Sequence, residues 1–471
     1  MKALVSLLEN ACRGGFSIED ATGRSDSATI EKLSLSVAEQ LIAQGGSRSE
    51  PVLLLIGNSA LDIVGFYAIW RANMVAVPLH QTAPAEVIAQ MRRTVGARFA
   101  IKDGILECSA EQPPSPAALP EDAALIIFTS GSTGQPKGVI LGHRGLAGKI
   151  DVLQALLRFN GRDRIAVPLQ LTFVFGLWVS LLAFKAGATL VLKPKFSVSG
   201  ITDDLASGTT IIAVVPTMLR SMNLEDAPAA ADLRQILTGG EPLLAPLAES
   251  LLAAFPQTAI FDLYGSTETG SCDFCLNVSA ERVTGAIGEP TRSVSYRIAS
   301  DDERDCKRGE TGELRIATPF GMLGYFADPN ATEAAFDTKR YFRTGDLARQ
   351  RDGRFVELVG RKKEIISRGG VKISPLEIDT LFTQHPAVTA ALCGGVPDRR
   401  LGEAVHVLVV KRPDVLLDAN MLLAWAAQKI EKQKLPNAIH FVEALPLGRT
   451  GKADRNRVKE LVADRLAWIP S

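Results

Sequence analysis

Alternation of short apolar segments with amphipathic segments constrains the fold of this chain more than any other feature. In the first third, PVLLLIG at Pro51–Gly57 is followed by an amphipathic stretch from about Ala60 to Asn73 and then by MVAVPL, AEVIAQMRRTVG and ARFAI. Strands that alternate with helices form parallel sheets covered by helices. We therefore predict an α/β fold with parallel-rich sheets flanked by helices in a large N-terminal domain.

The same rhythm returns in the middle of the chain. Strand-like segments there read ALIIFT, ATLVL, IIAVVP, RQILTGG and TAIFDLYG. Several of them end in glycine or small polar residues, and the carboxyl ends of parallel strands are where ligand-binding loops gather. We expect a binding site along that edge of the sheet.

The composition changes after about Gly285, where alternating segments such as GELRIAT and RFVELVG indicate antiparallel strands. We predict a smaller β-barrel-like region there. A polar, turn-rich segment then begins near Gly360–Lys363, followed by a helix, strand pairs and a long helix near Met421–Gln433. We place the domain boundary so that residues 1–360 form the N-terminal domain and 361–471 a small α+β C-terminal domain.

Charge and cysteine content exclude several classes of protein. Lys plus Arg and Asp plus Glu each total 52, so no global field attracts nucleic acid. Six scattered cysteines among 471 residues do not form a disulfide framework, which predicts a reducing, cytoplasmic location. The apolar stretch from Val174 contains Lys185 and two glycines, so we expect a buried helix, a turn and a strand rather than a membrane span. The N-terminal segment, interrupted by Glu9, predicts a first helix rather than a signal peptide.

The segment IIFTSGSTGQPKGV at Ile126–Val139 is the most informative one for function. A strand runs into glycines and hydroxyls and then into Lys137; the loop residues are Thr129, Ser130, Gly131, Ser132, Thr133 and Gly134. Backbone N–H groups, hydroxyls and an ammonium suit the oxygens of a polyphosphate. A flexible surface loop is the alternative, but it would not require this combination. The segment does not fit the pattern of a Walker loop.

With this loop, the sequence resembles the adenylate-forming superfamily of acyl-CoA synthetases, peptide-synthetase adenylation domains and luciferases. Further matching segments follow in the family's order: GGEPL, YGSTETG, GELRIATPFGMLGY, RTGDLARQRDGRFVELVGRKKEIISRGGVKISPLEID and PLGRTGKADR. The resemblance covers nearly the whole chain. It implies that ATP activates a carboxylic acid as an acyl-adenylate, with Mg²⁺, and that the N-terminal domain binds ATP and the acid.

The resemblance assigns roles in nucleotide binding. Glu268 would hold Mg²⁺, Thr267 would contact the α-phosphate and Tyr264 would stack on adenine. A rim aromatic and a carboxylate at a helix N-terminus are the alternatives for Tyr264 and Glu268. Other nucleotide-binding residues implied by the matching segments are Gly239, Gly240, Glu241 and Gly265.

Two further charged residues carry roles by the same resemblance. Asp346 would accept hydrogen bonds from the ribose hydroxyls, supported by Arg361, although the segment could also be an ordinary turn. Lys452 of the C-terminal domain would bridge the carboxylate and the α-phosphate; a solvated surface lysine is the alternative.

The segment GRKKEIISRGG would serve a second step in which the C-terminal domain rotates. Lys363 matches the hinge, Gly370 the path of a pantetheine thiol, and Lys372 a residue that contacts nucleotide or acyl group in some relatives. For Lys362 and Arg368 a solvated charged face is the alternative.

The acid-binding pocket departs from that of amino-acid-activating relatives. Gly176 stands where those enzymes have an aspartate for the substrate ammonium, so we expect an apolar acid and not an α-amino acid. Predicted pocket residues are Phe173, Phe175, Gly176, Trp178 and Cys272, although an aromatic stripe can also be plain core. Cys272 and Cys275 form a CxxC pair, which suits pocket lining better than a metal or redox site because no second pair lies at zinc spacing.

We therefore expect an AMP-forming acyl-CoA synthetase that transfers the acyl group to CoA. A free-standing adenylation enzyme that loads the phosphopantetheine of an acyl carrier protein is the alternative, and a catalytically inactive nucleotide-binding homologue is a third. We expect a monomer or homodimer with no stable membrane insertion.

Overall fold

The computed structural model describes residues 2–109, 117–129, 136–222, 224, 230–281, 285–351, 354–412, 415–448 and 452–466. The elements up to the glycine-rich loop are α1 (Ala3–Gly14), β1 (Ser17–Asp20), β2 (Gly23–Asp26), α2 (Ser27–Ala43), β3 (Pro51–Ile56), α3 (Ala60–Arg71), β4 (Val75–His80), α4 (Ala85–Val95), β5 (Phe99–Lys102), β6 (Ile105–Cys108) and β7 (Ala123–Thr129). The predicted βα alternation is confirmed. Ser59 and Asp62 form a capping box that fixes the start of α3.

The middle of the chain continues with β8 (Lys137–Gly142), α5 (His143–Leu157), β9 (Arg164–Val167), α6 (Val174–Lys185), β10 (Thr189–Leu192), α7 (Val198–Ala206), β11 (Ile211–Val214), α8 (Pro216–Arg220), β12 (Gln235–Gly239), α9 (Ala245–Ala254), β13 (Ala259–Tyr264), β14 (Phe274–Asn277), α10 (Val278–Glu281) and β15 (Glu289–Pro290). The apolar stretch from Val174 forms the predicted buried helix and strand, α6 and β10. Within the described part of the chain, no helix combines the length and apolar character needed to cross a bilayer.

Two large mixed sheets carry the N-terminal domain. The first has the strand order β15-β14-β13-β12-β11-β9-β10-β1-β2, with parallel pairing from β13 to β1. The remaining strands up to the domain boundary are β16 (Ser295–Ala299), β17 (Gly312–Ala317), β18 (Gly324–Tyr325), β19 (Phe342–Gln350) and β20 (Val356–Arg361), with α11 (Pro329–Ala334) between β18 and β19. The second sheet is ordered β18-β8-β7-β4-β3-β5-β6. One apolar cluster joins both sheets and includes Leu54, Ile165 and Trp178.

The region predicted to be barrel-like is an open antiparallel sheet, β16-β17-β19-β20, and no closed barrel occurs among the described residues. That part of the prediction is wrong. Beyond its pairing with β19, strand β20 forms a bridge between Val356 and Gly288 rather than meeting β16, so the sheet does not close.

The smaller C-terminal domain contains a 3₁₀ helix (Lys362–Glu364), β21 (Ile366–Arg368), β22 (Val371–Ile373), α12 (Pro375–Thr383), β23 (Val388–Asp398), β24 (Gly402–Lys411), α13 (Ala419–Ala426), a second 3₁₀ helix (Lys432–Lys434), β25 (Ala438–Phe441) and α14 (Arg457–Leu466). Its sheet is ordered β22-β21-β24-β23, with β25 on β24. Its apolar clusters draw their buried residues from between Ile366 and Val462, which supports a separate unit. The boundary at residues 360 and 361 stays a prediction.

The long helix predicted near Met421–Gln433 is wrong, because α13 ends at Ala426. Beyond that point Ile430 and Leu435 pack against the apolar cluster of this domain. In a continued helix Ile430 would share the face of Leu422 and Ala426, but Leu435 would lie on the opposite face, so leaving the helix brings Leu435 to the cluster.

Candidate active site

The phosphate-binding loop predicted from the sequence is flanked by paired strands. Strands β7 and β8 form an antiparallel hairpin in which Thr129 lies opposite Lys137. The predicted phosphate-binding residues Ser130, Gly131, Ser132, Thr133 and Gly134 lie outside the described residues. The hairpin therefore places the two ends of the loop side by side, at the carboxyl end of β7.

Lys137 and Glu268 meet across one tyrosine. The Lys137 ammonium lies 4.8 Å from the centre of the Tyr325 ring, and the Tyr325 hydroxyl donates a hydrogen bond to Glu268 Oε1 at 3.2 Å. Tyr325 reaches this place because β18 pairs with β8, opposite Val139. Burial, and then the Glu268 carboxylate, raise the pKa of Tyr325, so its hydroxyl stays protonated and donates. Sequence reasoning assigned Tyr325 no role.

The turn that carries Thr267 and Glu268 follows β13. Its backbone closes through a hydrogen bond from Gly270 N to Thr267 O at 3.1 Å, and Met322 N donates to Glu268 O at 2.7 Å. A Cβ on Gly265 would lie 2.4 Å from Cys272 N, so only glycine fits there. The turn is thus fixed by backbone contacts before any ligand binds.

A buried ion pair supports this turn from below. Lys149 on α5 lies 3.1 Å from Asp273 Oδ1, and the two side chains are 1% and 0% exposed. Lys149 also donates to Cys272 O at 3.2 Å, while the Thr269 hydroxyl donates to Asp273. Lys149 and Asp273 were not found from the sequence, because each looks locally like an ordinary polar residue.

Asp346, Tyr264 and Arg361 form a compact group, named here the Asp346 cluster. The Tyr264 hydroxyl donates to Asp346 Oδ2 at 2.6 Å, and Arg361 Nε donates to Oδ1 at 2.6 Å. Asp346 lies opposite Arg361 in the β19–β20 pairing. Burial and the neighbouring carboxylate raise the pKa of Tyr264, which keeps its hydroxyl a donor. The structure therefore brings these three predicted residues together.

The GGEPL segment lies at the carboxyl end of β12 and receives Lys452. Gly240 has φ +83°, and a Cβ placed on it would lie 2.8 Å from Lys452 Nζ. A Cβ on Gly239 would lie 2.3 Å from Leu263 O. Both positions therefore require glycine, and Gly240 lets the lysine approach the backbone.

Lys452 belongs to the C-terminal domain yet lies within the N-terminal site. Burial lowers its pKa; the Glu241 carboxylate opposes this effect and Arg361 adds to it. The Glu241 carboxylate itself accepts hydrogen bonds from Thr217, Arg220 and the backbone of Ala453. Lys452 is therefore not a solvated surface lysine in this arrangement.

The predicted hinge and thiol-channel residues lie on exposed segments. Lys363 is the central residue of the 3₁₀ helix Lys362–Glu364. Gly370, with φ +86°, forms the tight turn between β21 and β22, and Lys372 donates to Ser367 Oγ at 2.5 Å across that hairpin. Their roles stay predictions.

The predicted acyl-pocket residues divide between core and rim. Phe175 stacks on Trp178 with ring centres 5.3 Å apart, and Trp178 is 1% exposed within the main core. A Cβ on Gly176 would lie 2.8 Å from Gln170 O, so a larger residue there would displace the backbone. Phe173 immediately precedes α6 as its N-cap.

Cys272 and Cys275 are free thiols, and burial raises the pKa of each. They therefore stay protonated and are poor metal ligands. Among the described residues, no group of three or more His, Cys, Asp or Glu side chains could hold a metal ion.

Comparison with known proteins identifies the class. Residues 28–119 and 104–326 match the AMP-binding enzyme family, and residues 377–452 match the AMP-binding enzyme C-terminal domain. The chain belongs to this family, and it is an AMP-forming acid–thiol ligase of the acyl-CoA synthetase type.

Individual relatives agree with that class. An indoleacetate–CoA ligase of Aromatoleum aromaticum is 34% identical over 77% of this chain and 72% of its own length. A fatty acid–[acyl-carrier-protein] ligase of Streptomyces coeruleorubidus is 30% identical over 72% of this chain and 68% of its own. The crystal structure of ATP-bound MatB from Rhodopseudomonas palustris superposes with a TM-score of 0.85, at 26% identity, over 98% of this chain and 99% of that one.

Proposed function

We propose that this enzyme activates an apolar carboxylic acid with ATP and transfers the acyl group to CoA. The observation that carries the proposal is the position of Lys452, whose ammonium reaches from the C-terminal domain to Gly240 in the N-terminal site. The Asp346 cluster and the Lys137–Tyr325–Glu268 contacts support the proposal, because they offer separate groups for a sugar, for phosphates and for a metal ion.

In the first step a carboxylate oxygen attacks the α-phosphorus of ATP, a P–O bond forms, and pyrophosphate leaves with the electrons of the broken bond. Lys452 and Lys137 place positive charge beside the reacting groups, where negative charge increases toward the transition state. Thr267 would donate to the α-phosphate. Asp346 would hold the ribose hydroxyls, and Tyr264 with Arg361 would keep its carboxylate oriented.

Glu268 has the properties of a Mg²⁺ ligand in such a site. It offers hard carboxylate oxygens, and the Tyr325 hydroxyl that donates to it is a neutral group rather than a competing cation. Proteins commonly hold Mg²⁺ through one or two carboxylates together with substrate phosphates. Mg²⁺ would neutralise charge on the phosphates of ATP.

In the second step the thiol of CoA loses its proton and attacks the acyl carbon; a C–S bond forms, the acyl C–O bond breaks, and AMP leaves with the electrons of that bond. We propose that the C-terminal domain rotates about Lys363 between the two steps, so that the Gly370–Lys372 hairpin replaces Lys452 at the site. The short 3₁₀ helix Lys362–Glu364 suits a hinge because only a few backbone dihedrals need to change.

The proposed substrate class follows from the pocket. Residue 176 is glycine, and a Cβ there would lie 2.8 Å from Gln170 O. The pocket therefore offers no carboxylate at this position to pair with a substrate ammonium. Phe173 and Phe175 at the start of α6 favour an aryl or short-to-medium acyl acid. The indoleacetate–CoA ligase relative supports an aromatic acid.

Loading of an acyl carrier protein is the second candidate, favoured by the fatty acid–[acyl-carrier-protein] ligase relative. The experiment is acid-dependent exchange of pyrophosphate into ATP over a panel of apolar acids and proteinogenic amino acids, followed by product analysis with CoA or carrier protein. We expect exchange with apolar acids and thioester with CoA. No exchange with any acid would refute adenylation, and thioester on carrier protein alone would select the second candidate.

A further inference from the structure

The two domains meet at the carboxylate of Glu241. The backbone N–H of Ala453 donates a hydrogen bond to Glu241 Oε1 at 3.2 Å, and Ala453 directly follows Lys452. The sequence-based interpretation placed Glu241 among the nucleotide-binding residues. In the structure, however, its carboxylate oxygens face protein donors.

Glu241 is held firmly from its own domain. The Thr217 hydroxyl lies 2.8 and 2.7 Å from its two carboxylate oxygens, and Arg220 donates to Oε2 at 2.7 Å. Thr217 and Arg220 lie on α8, which follows β11, while Glu241 follows the neighbouring parallel strand β12. With a side chain only 9% exposed, the carboxylate has one fixed position at the edge where the site is built.

The lysine turn, Lys452–Asp454, is ordered on the other side of the contact. Gly448 N donates to Lys452 O, and Asp454 N donates to Pro446 O, each at 2.8 Å. These bonds fix the backbone on both sides of Ala453 and leave its N–H directed at Glu241. Because Lys452 is the preceding residue, fixing Ala453 also fixes where the lysine side chain begins.

We propose that Glu241, oriented by Thr217 and Arg220, is the docking point that holds the C-terminal domain in the acid-activating orientation. It is a positioning residue that acts through Ala453 on Lys452, and the proposal rests on the proposed role of Lys452 in the first step. One charge-assisted hydrogen bond places the turn while remaining easy to break when the domain rotates.

Hydrogen exchange tests the docking contact without any substrate. In the free enzyme, the peptide that carries Ala453 should exchange faster in Glu241→Ala than in the parent, because its amide loses its acceptor. Glu249→Ala, on the exposed face of α9, is the matched control and should leave that peptide unchanged. Equal exchange in parent and Glu241→Ala would overturn the proposal.

Kinetics separate docking from nucleotide binding. Using the acid with the highest exchange rate, Glu241→Ala should lower pyrophosphate exchange about tenfold at saturating ATP while the KM for ATP changes less than about twofold. Thioester formation from supplied acyl-adenylate should stay within about twofold of the parent rate. A rise in the KM for ATP alone, or equal loss of both steps, would refute docking.

Arg220→Lys is the second variant, because it keeps the positive charge but not the guanidinium geometry. It should lower the rate of pyrophosphate exchange, but by less than Glu241→Ala does. A parental exchange rate in both Arg220→Lys and Glu241→Ala would overturn the proposal. Absence of pyrophosphate exchange in the parent with every acid would instead refute the proposed function, and the hydrogen-exchange comparison would still decide whether Glu241 docks the domain.

Discussion

The Asp346 cluster and the lysine turn serve one proposed reaction but are held in opposite ways. Asp346 receives two hydrogen bonds of 2.6 Å from Tyr264 and Arg361, within the β13 and β19–β20 framework. Among the described residues, the lysine turn meets the carboxylate of Glu241 through a backbone hydrogen bond of 3.2 Å from Ala453. A group that binds AMP through both steps must be held rigidly, as Asp346 is by its two short hydrogen bonds. A group used in only one step, as proposed for Lys452, must be held by a contact that breaks easily.

Among the variants considered, loss of the buried ion pair beneath the Thr267–Glu268 turn should have the largest effect on folding stability. Lys149→Met leaves the buried Asp273 carboxyl without its cation, which should cost about 3–5 kcal/mol of folding free energy. Urea denaturation of the N-terminal domain measures this loss. The double variant Lys149→Met/Asp273→Asn should recover part of it, and a single variant as stable as the parent would show that the pair supports nothing.

The hinge should separate the two steps. Lys363 lies in a 3₁₀ helix, whose φ of about −60° proline can adopt, so Lys363→Pro should leave pyrophosphate exchange nearly unchanged. Domain rotation would be blocked, and thioester formation should fall by about a hundredfold or more. Lys363→Ala is the control and should support both steps. Equal loss of both steps in Lys363→Pro would place the boundary elsewhere.

Asp346→Asn should affect both steps because AMP occupies the site throughout. Losing one charged acceptor should raise the KM for ATP roughly tenfold, equivalent to about 1.4 kcal/mol. Steady-state exchange kinetics give that constant, with the exposed Asp203→Asn as the control. An unchanged KM would remove Asp346 from the nucleotide site.

The smallest expected effect is a displacement of the pH profile. Lys452 must be protonated to stabilise negative charge, and burial lowers its pKa below the ordinary value of 10.5. Pyrophosphate exchange should therefore be fully present at low pH, and its rate should decline as the pH rises through the lowered pKa, before the pH reaches 10.5. Glu241 raises the pKa of Lys452 and Arg361 lowers it. Glu241→Gln removes the first influence and should move the fall to lower pH; a profile that coincides with the parent's would contradict this coupling.

Much of the N-terminal framework, including the Asp346 cluster, could be predicted from the sequence. The βα alternation predicted the apolar strands β3, β4, β5, β7 and β10–β13 because their apolar residues recur locally, but it did not indicate the other strands of the two large sheets, such as β1, β9 and β18. Asp346, Arg361 and Tyr264 were singled out by the resemblance, and the pairing of β19 with β20 places the first two opposite each other. The open form of the β16-β17-β19-β20 sheet and the early end of α13 depend on long-range packing, and the sequence predictions were wrong there.

Contacts between distant residues had no local signal. Lys149 and Asp273 are separated by 124 positions, and Glu241 and Ala453 by 212. The local sequence around Lys149 on α5, or around Glu241 in the GGEPL segment, does not indicate a partner so far along the chain. The same holds for Tyr325, whose place beside Glu268 depends on the pairing of β18 with β8.

The most direct test of the central claim compares the two half-reactions in Lys452→Ala. If Lys452 serves only acid activation, the variant should lose about 3 kcal/mol of transition-state stabilisation, roughly a hundredfold in pyrophosphate exchange. ATP binding should barely change, and single-turnover thioester formation from supplied acyl-adenylate should proceed at close to the parent rate. Normal pyrophosphate exchange in Lys452→Ala would contradict the account.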